Sequence, residues 1–275
     1  MNPESILPGF AAAAVRAATP LAFAAAGELL VERAGVINIG IEGMMVVGAY
    51  TGYVAAHGAG QGAGLLAGAA GGAAMGLVFA ALVVGLRVQQ VIAGTALSML
   101  GLALTASLHR AHAALVPTDS LPPVAITRVP LLADVPVLGP AFFAQPMATY
   151  LLYVVFPVIS WMLYRSIAGV ALRATGESPM AVVAAGHSPA RIQSLAIIAG
   201  GALAGTGGAI LSVVHAGTFV DGMTAGRGFV AVAIVALGRW TPLGVATSTS
   251  LTSPADCRWS SRSRTMIGYS WPSWR

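Results

Sequence analysis

The chain has 275 residues, of which 57% are hydrophobic and only 8% are charged, and its mean hydropathy is +0.81. Soluble globular domains carry about 25% charged residues, so this composition excludes a water-exposed globular protein. The net charge of +5 comes from arginines scattered between apolar segments, which argues against a nucleic-acid-binding surface. A single cysteine, Cys257, excludes an intrachain disulfide and a cysteine-based metal cluster. The composition therefore predicts an all-α, polytopic transmembrane helical bundle.

Hydrophobic stretches define about seven candidate membrane segments. They lie near residues 10–31, 36–56, 63–86, 91–108, 147–164, 194–214 and 228–240. A spanning helix needs roughly 20 apolar residues, which most of these segments approach. The seventh, at about 13 residues, is short for a full span, so a re-entrant segment is a second reading of it.

The third segment has a glycine at every fourth position. On a helix this spacing forms a stripe without side chains, which lets a neighbouring backbone approach closely. Gly201 and Gly205 repeat the pattern in the sixth segment. The spacing begins at Gly60, and we expect helix packing at Gly64, Gly68, Gly72 and Gly76.

Two polar segments interrupt the hydrophobic pattern. Residues 110–146 contain seven prolines, so this segment cannot form a helix in lipid and is predicted to lie outside the membrane. Residues 165–193 contain Arg165, Arg173 and Arg191, and this excess of arginine favours the cytoplasmic side. The 110–146 segment is then external. One membrane segment lies between the two polar segments, and a single crossing places them on opposite sides.

Charged and amide side chains cluster around the start of the second segment. A charge near the bilayer centre costs at least about 2.5 kcal/mol, so such groups normally face protein or water. We expect Glu28, Glu32 and Arg33 to form an ion-paired cap at the membrane interface. Asn38 and Glu42 lie deeper and are flanked by glycines, an arrangement that transporters use in broken helices. For these two residues, a place in a substrate pathway and a purely structural polar role both stay open.

A short helix is predicted within residues 165–193. Ser178 is a good N-cap, Pro179 suits the first helical position, and Gly186 suits the position after the C-cap. The helix would have about two turns and a small, apolar body. A helix of this kind at the membrane surface either docks into a groove of another protein or lies on its own bundle.

The sequence shows no signature of catalysis. The histidines have no two-ligand spacing with carboxylates, and the chain has no nucleophile elbow or zincin motif. The glycine-rich run 205–208 lacks the following lysine of a phosphate-binding loop and lies in an apolar segment. We therefore predict no catalytic residue, no metal site and no cofactor bound by this chain.

Four stretches of the chain resemble a known family. The run Glu32-Arg33-Ala34-Gly35-Val36-Ile37-Asn38-Ile39-Gly40-Ile41-Glu42-Gly43-Met44-Met45 is similar to the signature of permease subunits in ABC importers of the branched-chain amino acid/ribose class. It is closest to the nucleoside-type branch, whose partners are lipoproteins similar to basic membrane protein. The likeness continues through residues 89–97, 176–186 and 226–233, and extends from residue 15 to about residue 244.

The resemblance implies a permease subunit of an ATP-driven importer for nucleosides or simple sugars, in the inner membrane of a bacterium. Its implied partners are an ABC ATPase that binds the ATP, a second permease subunit or a second copy, and an external substrate-binding lipoprotein. Segment 165–193 would contain the helix that couples to the ATPase, with Gly176, Glu177, Ala184, Ala185 and Gly186 at the contact. The implied substrate pathway comprises Asn38, Glu42, Gln89, Gln90 and Ser98, the last standing where relatives commonly have Asn.

Two other classes of function compete with this one. An ion-coupled secondary transporter would show inverted repeats and buried ionisable groups in both halves, whereas the spans after Glu42 are nearly free of acids. The second alternative is a membrane assembly subunit that transports no substrate. Neighbouring genes for an ATPase and a lipoprotein would distinguish the importer from both.

The composition changes abruptly near Gly244. We therefore divide the chain into a permease domain, residues 1–244, and a tail, residues 245–275, rich in Ser, Thr, Arg and Trp. The change suggests out-of-frame translation of a GC-rich gene, and a basic, aromatic tail lying on the membrane surface is the alternative. The nucleotide sequence in the other two reading frames would decide between them.

Overall fold

The computed structural model describes residues 3–112, 120–128, 139 and 142–249, with side chains described from residue 9 onward. The described residues form helices joined by short connections, and two short strands. The helices are α1 (Pro3–Arg33), α2 (Ile41–Ala59), α3 (Gln61–Ala80), α4 (Gln90–His112), α5 (Met147–Arg165), α6 (Ile167–Glu177), α7 (Pro179–Ala184), α8 (Pro189–Ala209) and α9 (Arg227–Leu237). Wider π-helical turns extend α3 over Ala81–Gly85 and α8 over Ile210–Ala216.

Five helical stretches are long and apolar enough to cross a membrane, which confirms the predicted polytopic helical bundle. They are Gly9–Arg33, Gln61–Gly85, Gln90–His112, Met147–Arg165 and Pro189–Ala216. The second predicted segment corresponds to α2, most of which is buried in the bundle. The seventh corresponds to α9, an apolar helix of 11 residues that is too short to span a bilayer alone.

Local signals explain where several helices begin and end. The Ser166 hydroxyl accepts a hydrogen bond from Gly169 N at 3.0 Å and so caps α6. Both α7 and α8 begin with a proline, whose missing N–H costs nothing at that position. The predicted short helix is present as α7, and Gly186 follows its C-cap with a φ of +80°.

Glycines bring the backbones of α2, α3 and α8 together at the centre of the bundle. A Cβ atom added at Gly68 would lie 2.8 Å from the Gly48 carbonyl oxygen of α2. A Cβ at Gly72 would lie 2.7 Å from the Gly205 Cα of α8. Such distances leave no room for a side chain, so α3 contacts both neighbours through its backbone. The buried glycines of α3 are Gly64, Gly68, Gly72 and Gly76.

The two polar segments lie at opposite ends of the bundle. At one end, which we call the 165–193 end, Gly176 packs against Gly35, just after α1 ends. At the other, the 110–146 end, the Gln61 side-chain amide donates to the Pro122 carbonyl oxygen at 2.8 Å. The described parts of the two segments therefore lie at opposite ends of the bundle, and the assignment of one end to the cytoplasmic side and the other to the external side stays a prediction.

A small antiparallel ribbon lies at the 110–146 end, where the sequence predicted only a loop. Strand β1 (Ile126–Arg128) pairs with strand β2 (Ala144–Pro146), and Thr127 faces Gln145. The ribbon continues directly into α5, so it sets where that helix enters the bundle.

The predicted boundary between permease domain and tail falls inside a helix. Residues 242–249 are helical, so regular structure continues past residue 244. The predictions made for the rest of the tail, residues 250–275, concern residues outside those that the structure describes.

Candidate functional site

The connection between α1 and α2, residues 34–40, is the first candidate site, and we call it the α1–α2 linker. The chain leaves α1 through Gly35, whose φ of +83° suits glycine and ends helices in the left-handed conformation. The backbone of the linker is not helical, and Gly40 at its end is the N-cap of α2. Asn38 is buried within the bundle. Non-helical backbone at this depth is stable in a membrane protein only where its polar groups find partners.

Three polar side chains supply those partners. Gln90 Oε1 accepts a hydrogen bond from Ile37 N at 3.0 Å, and Glu28 Oε1 accepts one from Asn38 N at 2.9 Å. The Ser98 hydroxyl donates to the Ile39 carbonyl oxygen at 3.0 Å. Side chains from α1 and α4 thus hold three consecutive linker residues.

Two buried acceptor atoms beside the linker have no hydrogen-bond partner among the described residues. They are Glu28 Oε2 and Asn38 Oδ1, and both side chains are almost completely buried. The Asn38 amide nitrogen contacts Met44 Sδ at 3.4 Å, which is a weak hydrogen bond. A buried polar atom without a hydrogen-bond partner costs free energy, so a donor placed beside either of these two oxygens would stabilise the protein.

Glu42, in the first turn of α2, binds the start of α9. Its Oε1 accepts hydrogen bonds from the Thr224 hydroxyl at 2.5 Å and from Gly226 N at 2.9 Å, and its Oε2 accepts one from Gly228 N at 2.7 Å. The φ of Gly226 is +82°, a left-handed conformation that glycine adopts without steric cost. A carboxylate at a helix N-terminus is also favoured by the helix dipole. Glu42 therefore joins α2 to α9 inside the bundle.

The structure differs from the predicted ion-paired cap of Glu28, Glu32 and Arg33. Arg33 Nε donates to the Trp240 carbonyl oxygen at 2.7 Å, and the indole N–H of Trp240 donates to Glu32. Glu28 is instead buried and bonded to the linker. The physical reason is that α9 returns the chain to the end of α1, where Trp240 offers a donor and an acceptor together.

The predicted pathway residues fall into two groups. Asn38, Gln90 and Ser98 lie together at the linker, with Glu42 in the next helical turn. The side chain of Gln89 has a different role, because it is exposed and caps α4 by accepting a hydrogen bond from Ile92 N at 2.9 Å.

The sequence prediction missed the residues that bind the predicted ones. Thr224 and Trp240 lie far along the chain from Glu42 and Glu32, and nothing in their immediate sequence indicates the contact. The only signal was the Gly-Arg-Gly run at 226–228, which belonged to the family likeness and had no role assigned to it.

The 165–193 segment is the second candidate site. A Cβ at Gly35 would lie 3.0 Å from the Gly176 Cα, so the end of α6 rests directly on the α1–α2 linker. In α7 the Val182 side chain is buried, whereas Met180 is 77% exposed and Val183 is 53% exposed. Ala184, Ala185 and Gly186 are exposed as well. The segment thus presents a small apolar surface at the end of the bundle.

Together these features define a membrane-embedded transport subunit. It has a buried, polar, non-helical linker between two helices, and a surface helix whose support touches that linker. Within the described part of the chain, no group of three His, Cys, Asp or Glu side chains could hold a metal ion.

Comparison with known proteins identifies the family. The family described as "Branched-chain amino acid transport system / permease component" matches residues 10–255, so the chain belongs to it. A putative glucose ABC transporter permease protein of Haloferax volcanii is 39% identical over 243 residues, which cover 86% of this chain and 73% of that protein. No solved structure gives a significant match.

Two further relatives are named for nucleosides. The guanosine ABC transporter permease protein of Bacillus subtilis is 34% identical over 236 residues, covering 82% of this chain and 74% of that protein. The nucleoside ABC transporter permease protein of Lactococcus lactis is 30% identical over 241 residues, covering 85% and 76%. The chain is accordingly a permease subunit of an ABC transporter and a multi-pass membrane protein, and ATP hydrolysis belongs to a partner ATPase.

Proposed function

We propose that this permease subunit imports nucleosides or, as second choice, simple sugars across the inner membrane of a bacterium. The observation that supports the substrate class is the set of relatives, two named for nucleosides and one for glucose, each aligned over more than four fifths of this chain. Both substrate classes are neutral and polar. They suit a pathway lined by amide and hydroxyl groups rather than by free charges.

The proposed pathway passes the α1–α2 linker. Asn38 belongs to the linker, and Gln90 and Ser98 bind its neighbours Ile37 and Ile39. The unpartnered Asn38 Oδ1 is an acceptor that a passing hydroxyl or amino group could use. Glu42 supports the pathway from the side, because its carboxylate is occupied by three donors from the start of α9. Gln89, exposed just before α4, would stand at the exit on the 165–193 end.

The proposed coupling surface comprises Gly176, Glu177, Ala184, Ala185 and Gly186, within the permease domain of residues 1–244. The exposed apolar side chains of α7 suit a groove on the ATPase, and the contact between Gly176 and Gly35 would pass its movement to the linker. A second permease subunit or a second copy would complete the pathway. A substrate-binding lipoprotein would deliver substrate at the 110–146 end.

Uptake into proteoliposomes tests the proposal. The chain is reconstituted with its ATPase and binding protein, and labelled guanosine and glucose are offered in separate experiments, with and without ATP. We expect ATP-dependent accumulation of guanosine that exceeds that of glucose. Uptake driven by an ion gradient in the absence of ATP would refute an ATP-driven importer, and accumulation of neither substrate would refute the substrate class.

A matched pair of bulky substitutions tests the coupling surface. Ala184→Trp places an indole on the exposed face of α7, whereas Leu66→Trp places one on the exposed side of α3, where Leu66 is 74% exposed. Ala184→Trp and, separately, Glu177→Arg should abolish uptake while the melting temperature stays within about 2 °C of wild type. Leu66→Trp should keep uptake. Normal uptake and normal ATPase association in the Ala184 and Glu177 variants would contradict the assignment.

A further inference from the structure

A charged cavity of about 220 Å³ opens at the 165–193 end, between the ends of α1, α6 and α9. We call it the arginine cavity. Three arginines, two glutamates and a tryptophan line it together with Gly176: Arg33, Arg173, Arg239, Glu32, Glu177 and Trp240. The cavity is not part of the linker and contains none of the residues proposed to contact substrate in the bundle.

Some charged groups of the arginine cavity have hydrogen-bond partners within the part of the chain that the structure describes, and one does not. Trp240 binds Glu32 through its indole N–H and Arg33 through its carbonyl oxygen, so these two charges already have partners. Arg173 Nε is buried and has no hydrogen-bond partner among the described residues. Its guanidinium stacks 5.2 Å from the centre of the Tyr164 ring, which orients the group without satisfying its N–H donors. A buried charged donor without an acceptor indicates that an acceptor from outside the chain completes the site.

The backbone that carries Arg239 into the cavity is strained. Arg239 and Trp240 have φ values of +52° and +53°, the left-handed region that side chains with a Cβ rarely adopt. This conformation is unfavourable for such residues, and the contacts of Trp240 with Glu32 and Arg33 hold it in place. Strain of this kind is typical of binding sites, because it positions a side chain that relaxed backbone would not.

The surroundings of the cavity indicate that the missing acceptor belongs to a lipid. Tyr164, under the Arg173 guanidinium, is 43% exposed in the last turn of α5, and Trp240 is 45% exposed. Half-exposed tyrosine and tryptophan at helix ends mark the interface between membrane and water. The outward face of α5 below Tyr164 is apolar and suits acyl chains. Its exposed apolar side chains include Leu151, Val154, Val158 and Trp161.

We propose that the arginine cavity binds the phosphate group of an anionic phospholipid, with Arg173 and Arg239 as the donors. Guanidinium groups bind phosphate oxygens through paired, charge-assisted hydrogen bonds, and basic pockets between membrane helices are suited to anionic headgroups. The acyl chains lie along α5. The lipid thereby ties α6, which supports the coupling helix, to the membrane.

Thermal unfolding of the purified full chain in detergent tests the lipid site. Phosphatidylglycerol, phosphatidylcholine and inorganic phosphate are added separately, and native mass spectrometry counts bound lipid. We expect phosphatidylglycerol to raise the melting temperature by at least about 3 °C more than phosphatidylcholine does, with inorganic phosphate giving no shift. An equal shift with inorganic phosphate would show a site for soluble anions and overturn the lipid assignment.

Arginine substitutions test whether the preference for phosphatidylglycerol arises in the cavity. Arg173→Gln combined with Arg239→Gln should abolish the preference for phosphatidylglycerol, and Arg239→Lys, which keeps the charge, should retain part of it. Arg191→Gln removes an exposed arginine at the same end of the bundle but outside the cavity, and it should behave as wild type. If the double variant keeps its lipid preference, or loses only its association with the ATPase, the cavity is not a lipid site.

Discussion

The contacts of Glu42 allow the loss of stability on its replacement to be predicted. Its Oε1 atom serves two donors, Thr224 and Gly226, and its Oε2 atom serves one, Gly228. Glu42→Gln keeps an oxygen for the first two donors, but it places an amide N–H₂ against the third. Hydrogen bonds to charged groups contribute about 1.5–3 kcal/mol each, so losing one of them costs about 2 kcal/mol. Glu42→Ala leaves the backbone N–H groups of Gly226 and Gly228, part-buried and buried, without these acceptors and costs about 4 kcal/mol.

Thermal unfolding of the purified protein measures this difference. For a chain of this size, 1 kcal/mol corresponds to roughly 2–4 °C, so Glu42→Gln should lower the melting temperature by about 4–8 °C and Glu42→Ala by about twice as much. Asp221→Asn is the control, because it also removes one carboxylate charge close to the Glu42 partners but at an exposed position. Its expected shift is below about 2 °C. If Glu42→Gln has the same melting temperature as the control, the carboxylate does not stabilise the contact between α2 and α9.

Two further predictions concern packing and the linker. Gly72→Ala should destabilise the bundle by about 1–3 kcal/mol, because its Cβ would meet Gly205, whereas Gly62→Ala on the same helix has open space and should be neutral or slightly stabilising in the same melting assay. Glu28→Gln should keep or raise the melting temperature, since its amide oxygen still accepts from Asn38 N and a neutral amide replaces a buried carboxyl group. A loss of more than about 2 kcal/mol in Glu28→Gln would show that the second carboxylate oxygen is needed.

The sequence predicted features that depend on neighbouring residues. Helix α7 has its proline, its cap and its terminal glycine within nine positions, so its limits were visible in the sequence. The glycine stripe of α3 predicted a close approach, because a missing side chain has the same consequence whichever helix is opposite. The hydrophobic segments marked the helices for the same reason, since burial in lipid depends on composition over a window.

The contacts between distant parts of the chain were not predictable in this way. The donors that bind Glu42 lie more than 180 residues away, and any buried donor would have satisfied the carboxylate equally well. The expected pairing of Arg33 with a glutamate was wrong for the same reason, because local opposite charges suggested it and the distant Trp240 displaced it. Sequence spacing identifies a polar group that needs a partner, and the fold decides which partner it receives.

The α1–α2 linker connects the two candidate sites mechanically. Gly35 lies against Gly176 of α6, and three residues later Asn38 is bonded to Glu28 inside the bundle. The contact between the two glycines is backbone against backbone, so a shift of α6 cannot be absorbed by rotation of a side chain and must move the linker. Glu42 holds the far end of the linker through α9, which returns at Trp240 to the end of α1. A force applied at the exposed helix α7 would therefore reach the buried polar groups of the linker through closely packed backbone.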